Sequence, residues 1–176
     1  AHTFHPLSDL SFEGRIDFNL HDVHSKDSVS QTGYEKQRNE LALLLSGSKS
    51  FVDRVNVNLL LRQEWIEGRR APFSPYLGFD VRLLKTRDLI FKGNLARNYH
   101  HPSLNDLYWQ PGGNRELEPE QGFTMESGLE YQYTLAGQQI LTEITAYRTD
   151  IRQWIIWIPG FKGYWEPRNI ERVRSS

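Results

Sequence analysis

The sequence predicts an all-β fold, an antiparallel meander of about eight long amphipathic strands. Two observations predict it. Apolar and polar residues alternate with a period of two over long stretches, and segments rich in Gly, Pro, Ser and Asn divide those stretches. A helical reading fails where it is easiest to test. Over 10–21 a period of 3.6 residues would put Arg15 and Asp17 in the apolar stripe.

The elements follow in order. Leu10, Phe12, Gly14, Ile16, Phe18 and Leu20 alternate with Ser11, Glu13, Arg15, Asp17, Asn19 and His21. Ser25 to Thr32 is a polar connection, flanked by His21 and His24, which are expected in solvent. A strand over 33–45 runs into the turn-like Ser46-Gly47-Ser48-Lys49-Ser50. Val55, Val57, Leu59 and Leu61 alternate with Arg54, Asn56, Asn58 and Arg62, and Gly68-Arg69-Arg70 reads as a turn. Phe73, Leu77, Phe79, Val81 and Leu83 share one face, with Asp80 and Arg82 on the other. Thr86-Arg87-Asp88 is a tight connection to a strand over 88–99. His100 to Gln121 is long and contains Pro102, Pro111, Gly112, Gly113 and Pro119. Phe123, Met125, Leu129, Tyr131 and Tyr133 oppose Thr124, Glu126, Glu130 and Gln132. Ala136-Gly137-Gln138 is a short turn before strands over 139–157 and 164–175. Each proline falls at a strand end or in a loop, as its missing N–H requires.

Composition narrows the classes. A chain of 176 residues is enough for one ordinary domain. Its 21 basic and 22 acidic residues are interspersed and leave a net charge of −1, which is no footprint for nucleic acid. Without cysteine there is no disulfide framework, thiolate metal site or cysteine nucleophile. A transmembrane helix needs about 18 apolar residues in a row, and the densest run is Leu41-Ala42-Leu43-Leu44-Leu45. The mean hydropathy of −0.61 reads as soluble, yet 12% of the residues are aromatic. No secretory signal opens the chain, and the strand-like Glu171 to Ser176 ends it, so both ends are expected to be cuts from a longer protein.

A soluble sandwich alternates in the same way, with one face in the core and one in water. Three features favour a membrane barrel instead. The strands are about 10–14 residues long against a usual mode of about 5–6, and about 9–11 tilted residues cross a bilayer. One face is densely charged (Glu13, Arg15 and Asp17; Arg54, Arg62 and Glu64), as a water-filled lumen tolerates. Aromatics gather near strand ends, at Trp65, Phe73, Tyr76, Tyr99, Tyr108, Trp109, Trp154, Trp157, Tyr164 and Trp165, as interfacial girdles do. Cross-strand pairing in a soluble sheet would also collect aromatics. On pattern alone both readings stay open.

Residues 94–120 break the tie. They read NLARNYHHPSLNDLYWQPGGNRELEPE, which resembles the barrel signature of TonB-dependent outer-membrane receptors. In that family an aromatic-Arg-Ala-Pro box precedes a "dLY" element, then Gly-Asn-Pro-x-Leu-x-Pro-Glu and a strand containing E-x-G-x-E. Tyr99, Pro102, Leu104, Asp106, Leu107 and Tyr108 fit the first part. Gly113, Asn114, Leu117, Pro119 and Glu120 fit the second, and Glu126, Gly128 and Glu130 lie near the third. Residues 147–155 (YRTDIRQWI) and 165–173 (WEPRNIERV) are similar to the next two family elements. Residues 1–93 match in pattern alone. His100-His101 stand where Arg-Ala is usual, and Arg115 where the first Pro of the second motif is usual. Haem-transporting members carry a His between the two boxes, and Ser103 to Asn114 has none.

The resemblance implies a slice of a transmembrane β-barrel over 1–176, with no plug domain and no energy-coupling box. The full parent would import a scarce nutrient (siderophore, cobalamin, haem or glycan) through a barrel of about 22 strands around a plug. Its partners would be outer-membrane lipid, the rest of the barrel and plug, and an inner-membrane energy-coupling protein. The long loop is then extracellular, with His100, His101, Asn105, Tyr108, Trp109 and Arg115 as candidate ligand contacts. Tyr99, Pro102, Leu104, Asp106, Leu107, Gly113, Asn114, Leu117, Pro119 and Glu120 are expected to fix the loop and the strand register. Tandem histidines on a strand point to opposite faces, so no metal site is expected, nor any cofactor. G-x-S-x-G, H-E-x-x-H, G-x-G-x-x-G and P-loop motifs are absent, so no enzymatic activity is expected. Glu116, Glu118 and Glu120 solvate the loop. Taken alone, such a slice would close into a small eight-stranded barrel or associate with another chain through its edges, because open edges are costly in lipid and in water. The alternatives are a soluble eight-stranded calyx or sandwich that binds a ligand and an intact small outer-membrane barrel.

Overall fold

The computed structural model describes residues 2–7, 9–26, 32–51, 54–84 and 88–176. Its strands are β1 (His2–Leu7), β2 (Leu10–Lys26), β3 (Gly33–Phe51), β4 (Val55–Ile66), β5 (Arg69–Arg70), β6 (Ser74–Arg82), β7 (Asp88–His100), β8 (Glu120–Leu135), β9 (Gln138–Pro159) and β10 (Trp165–Ser175), with one short helix, α1 (Leu104–Tyr108). They form one antiparallel sheet in the order β1-β2-β3-β4-β6-β7-β8-β9-β10, and β5 pairs with β4 alone. The eight predicted stretches are the eight long strands; β1 and β5 are short additions.

Three expectations need correcting. Ser46 to Ser50 lie inside β3 and not in a turn. Both neighbours hold their backbone, Ser48 opposite Ser11 and Asn58, and Ser48 Oγ meets Ser11 Oγ at 2.6 Å. Small polar residues that read as a turn are tolerated in a strand paired on both sides. The all-β expectation has one exception at α1, whose five residues are too few to display a helical period. Finally, the sheet is open. Among the described residues β1 pairs only with β2 and β10 only with β9, so no small barrel or calyx closes, and no second sheet packs on this one. An eight-stranded barrel has an interior just wide enough for side chains, which would force the charged face into a dry core.

The turns obey local rules. Between Leu135 and Gln138 the two central residues have left-handed φ, Ala136 at 51° and Gly137 at 82°. That is the hairpin turn whose twist matches the flanking strands, and glycine adopts it without steric cost. Thr86 and Arg87, expected in a tight connection, and residues 27–31 of the polar connection lie outside the described residues.

Register gives the sheet its two faces. Phe4, Phe12, Gly47, Leu59, Leu77, Leu95, Met125 and Arg148 form one continuous row across the hydrogen bonds. Along this row the height above the short-turn end rises, from two residues at Phe12 (10 to 12) to ten at Arg148 (138 to 148). This is the stagger of tilted barrel strands. The face that carries this row is apolar and exposed: Ile16 is 70%, Phe18 67% and Ile144 73% accessible. The opposite face is a polar ladder. Asn56 Nδ2 donates to Asp80 Oδ2 (2.7 Å), Asn94 Nδ2 to Glu126 Oε2 (2.9 Å), and Lys92 pairs with Glu130. Tyr131 stacks on Tyr133 with centroids 5.2 Å apart, and Phe79 lies 5.8 Å from Phe91, at the short-turn end of the apolar face. Trp65 and Tyr99 lie towards its other end. Tyr76 belongs to the polar face, opposite Leu60 and Ala96, so the predicted girdle loses it.

Candidate functional site

The segment between β7 and β8 packs against the polar face, and its own residues fold it. Ser103 caps α1: its Oγ accepts from Asp106 N (3.1 Å), and Asp106 Oδ2 accepts from Ser103 N (2.8 Å) and Ser103 Oγ (2.7 Å). This capping box satisfies donors that a helix start leaves open. Asp106 Oδ1 also accepts from Trp157 Nε1 of β9 (2.9 Å). Gly113 N donates to Trp109 O (2.7 Å) and Asn114 N to Asp106 O (2.7 Å), so the chain doubles back over the helix. Gly112 has φ 121°, and a Cβ there would stand 2.2 Å from Trp165 O. Asn114 Oδ1 accepts from Glu116 N (2.9 Å), while its Nδ2 donates to Pro167 O (3.2 Å). Asn169 of β10 clamps the last part: Oδ1 accepts from Glu118 N (2.9 Å), and Nδ2 donates to Glu118 O (3.0 Å) and Gln153 O (2.7 Å). Glu120 Oε1 accepts from Ile155 N (2.7 Å). Leu104, Leu117, Pro102 and Pro167 are buried here.

The other flank rests on β3. Arg38 donates to Pro102 O (2.9 Å), Thr32 Oγ1 to Gln110 O (3.1 Å), and Tyr34 OH to Asn105 Oδ1. β3 and β9 are five places apart in the sheet, roughly 24 Å if the sheet were flat. Adjacent residues of α1 touch both, Asn105 meeting Tyr34 of β3 and Asp106 meeting Trp157 of β9, so the sheet curls around the segment with the polar face concave.

A cationic and aromatic cluster lies on this segment. Tyr108 packs 6.1 Å from Tyr34, and Lys36 Nζ and the Arg115 guanidinium lie 5.1 and 5.2 Å from the Tyr108 ring centre. Those are cation–π distances. Of the predicted ligand contacts, the structure brings Asn105, Tyr108 and Arg115 to this cluster. His100 is exposed at the end of β7, opposite Glu120. His101 is half-buried with Nδ1 3.1 Å from Pro102 O, and burial lowers its pKa below the ordinary value. Trp109 is exposed, and among the described residues its ring has no hydrogen bond or ring contact. Tyr108 and Trp157, expected in the girdle, belong to the polar side instead, Tyr108 beside Tyr34 and Trp157 bonded to Asp106. No group of three His, Asp or Glu able to hold a metal occurs among the described residues. Tyr34, Lys36, Arg38 and Trp157 carry no motif signal for the site. Asn169 stands in a quoted family element, the one hint the sequence held.

Comparison with known proteins places the chain. The family described as TonB dependent receptor-like, beta-barrel matches residues 8–176. Two vitamin B12 transporters named BtuB are each 33% identical: that of Vibrio vulnificus over 85 residues, 48% of this chain and 13% of that protein, and that of Photobacterium profundum over 94 residues, 50% and 14%. The crystal structure of the siderophore receptor PirA from Pseudomonas aeruginosa superposes with a TM-score of 0.76 at 17% identity, over 96% of this chain and 32% of that one. The copper transporter OprC gives 0.74 at 10%, over 96% and 31%. The chain therefore spans about a third of the solved receptors and a smaller share of the curated relatives.

Proposed function

The chain belongs to the TonB-dependent receptor-like β-barrel family, and from that premise we propose that it forms part of the barrel wall of an outer-membrane receptor that imports a scarce nutrient. The observation that carries this reading is the pairing of an exposed apolar face with a concave polar face wrapped round the 101–119 segment. Lipid covers the first and a water-filled lumen meets the second. The plug and the coupling to an inner-membrane energy source belong to the rest of the protein. Transport is a property of that whole.

The ligand enters from the long-loop side, where Asn105, Tyr108 and Arg115 meet Tyr34 and Lys36. Two cations against an aromatic ring suit a large ligand with conjugated and anionic groups. The vitamin B12 transporters among the relatives make a corrinoid the first candidate, ahead of a ferric siderophore. Calorimetry on the full-length protein tests this with cyanocobalamin, a ferric catecholate siderophore and haemin. A micromolar or tighter corrinoid complex, weakened by Tyr108→Ala, supports the reading. Binding of the siderophore alone reassigns the substrate, and binding of none of the three rejects this cluster as a nutrient site.

A further inference from the structure

The apolar face carries a strongly basic patch where β7, β8, β9 and β10 run far above the short-turn end. Arg97 of β7, Arg148 and Arg152 of β9 and Arg172 of β10 line a cleft of about 440 Å³ whose floor includes Phe123 and Met125. Register fixes the side of the sheet: Arg97, Phe123, Asp150 and Arg174 form one row, and Gln121, Arg152 and Arg172 the next, on the face that carries Leu95 and Met125. Asp150 takes Arg172 Nε at 2.9 and 3.0 Å and Arg174 Nε at 3.4 Å. Arg97 donates to Gln121 Oε1 (2.9 Å). Among the described residues Arg148 and Arg152 have no carboxylate partner. Five arginines thus share one carboxylate beside the apolar Phe123 and Met125.

Height explains how the wall tolerates them. At about 2.5 Å of rise per tilted residue, Arg97 stands about 22 Å and Arg148 about 25 Å above the short-turn end. An apolar band is about 25 Å tall, so the cleft lies at its outer rim, where charge costs little. It is not a generic feature of that rim. The far ends of β2 and β3 present Asp22, His24, Glu35 and Gln37 on the same face.

We propose that this cleft is a lipid site on the outside of the barrel, which takes the phosphorylated headgroup of an outer-leaflet glycolipid. Arg97, Arg148, Arg152 and Arg172 hold the phosphates with the forked geometry that guanidinium offers. An acyl chain lies over Phe123 and Met125. This site rests on the membrane reading above.

The test uses the full-length protein in phosphatidylcholine nanodiscs with a minor fraction of diphosphoryl lipid A, read by native mass spectrometry. A heat-dependent shift in gel mobility first checks that the barrel has inserted; failure there overturns the membrane reading and this site with it. The expected result is one retained diphosphoryl lipid A per protein. Arg148→Gln with Arg152→Gln should weaken retention about 25-fold, at about fivefold per arginine, while insertion is unchanged. Arg15→Gln with Arg62→Gln, which removes the same charge from the polar face, should leave retention unaltered. Equal retention of dephosphorylated lipid, displacement by millimolar inorganic phosphate, or no loss in the double variant would overturn the proposal.

Discussion

The wall and the segment that crosses it invert each other. On the wall the large apolar side chains, Ile16, Phe18 and Ile144 among them, stand exposed, and the polar side chains hydrogen-bond on the concave face. In residues 101–119 the order is that of a water-soluble protein: Pro102, Leu104 and Leu117 are buried and the polar groups cap, clamp and face outward. The difference teaches that the two regions have different solvents. A ladder of backbone hydrogen bonds holds the wall, which needs lipid against its apolar side. The segment has its own small core and needs only the concave side of the sheet.

The largest effect should come from charging the wall. Ile144 lies about 15 Å above the short-turn end, near the middle of the apolar band. Ile144→Arg is expected to destabilise the inserted full-length protein by about 2–4 kcal/mol, while Thr145→Arg on the concave face costs under about 1 kcal/mol. Urea titration in phospholipid vesicles measures both. Equal costs would break the contrast between the faces.

Asp106→Ala removes the helix cap and the acceptor for Trp157 together. A loss of about 2 kcal/mol in the segment's local stability follows, with faster proteolysis between residues 104 and 116 and no change in the wall's urea midpoint. Trp157→Phe keeps an aromatic side chain but loses the N–H donor and the pyrrole half of the indole, so about 1–2 kcal/mol is expected. Hydrogen exchange over 103–108 reads it.

The smallest effect is pH dependence at His101. Burial holds its folded pKa below the ordinary 6.5, so the opened segment takes a proton before the closed one does. Protection is therefore full above about pH 6.5 and declines as pH falls below that value towards the depressed folded pKa. Exchange corrected for intrinsic rates should reveal a loosening at 103–108 between pH 6.5 and 5. His101→Gln should flatten that profile.

The wall was legible because period-two alternation is a local signal, clean in β2, β4, β6 and β8 and weaker in β3, β7, β9 and β10. The resemblance over 94–176 supplied the family. Three things were not legible, each for a physical reason. The five residues of α1 are fewer than two helical turns and display no period. Ser46 to Ser50 form strand because β2 and β4 pair with them, not through their own propensity. The curl of the sheet depends on contacts such as Arg38 to Pro102 and Thr32 to Gln110, which span 64 and 78 residues. The site shared that fate. Asn105, Tyr108 and Arg115 lie in the long loop that the family motif marks, but Tyr34 and Lys36, which complete the cluster, sit in a strand that reads only as wall.

The central claim is that one face of this sheet meets lipid and the other water. The chain has no cysteine, so single spin-labelled cysteines can be placed at each position from 140 to 147 in the full-length protein in vesicles. Collision with oxygen, which concentrates in lipid, should peak at residues 140, 142, 144 and 146. Collision with a water-soluble nickel chelate should peak at 141, 143, 145 and 147. Two opposed period-two profiles are the predicted result; profiles that rise and fall together, or show no period, would contradict it.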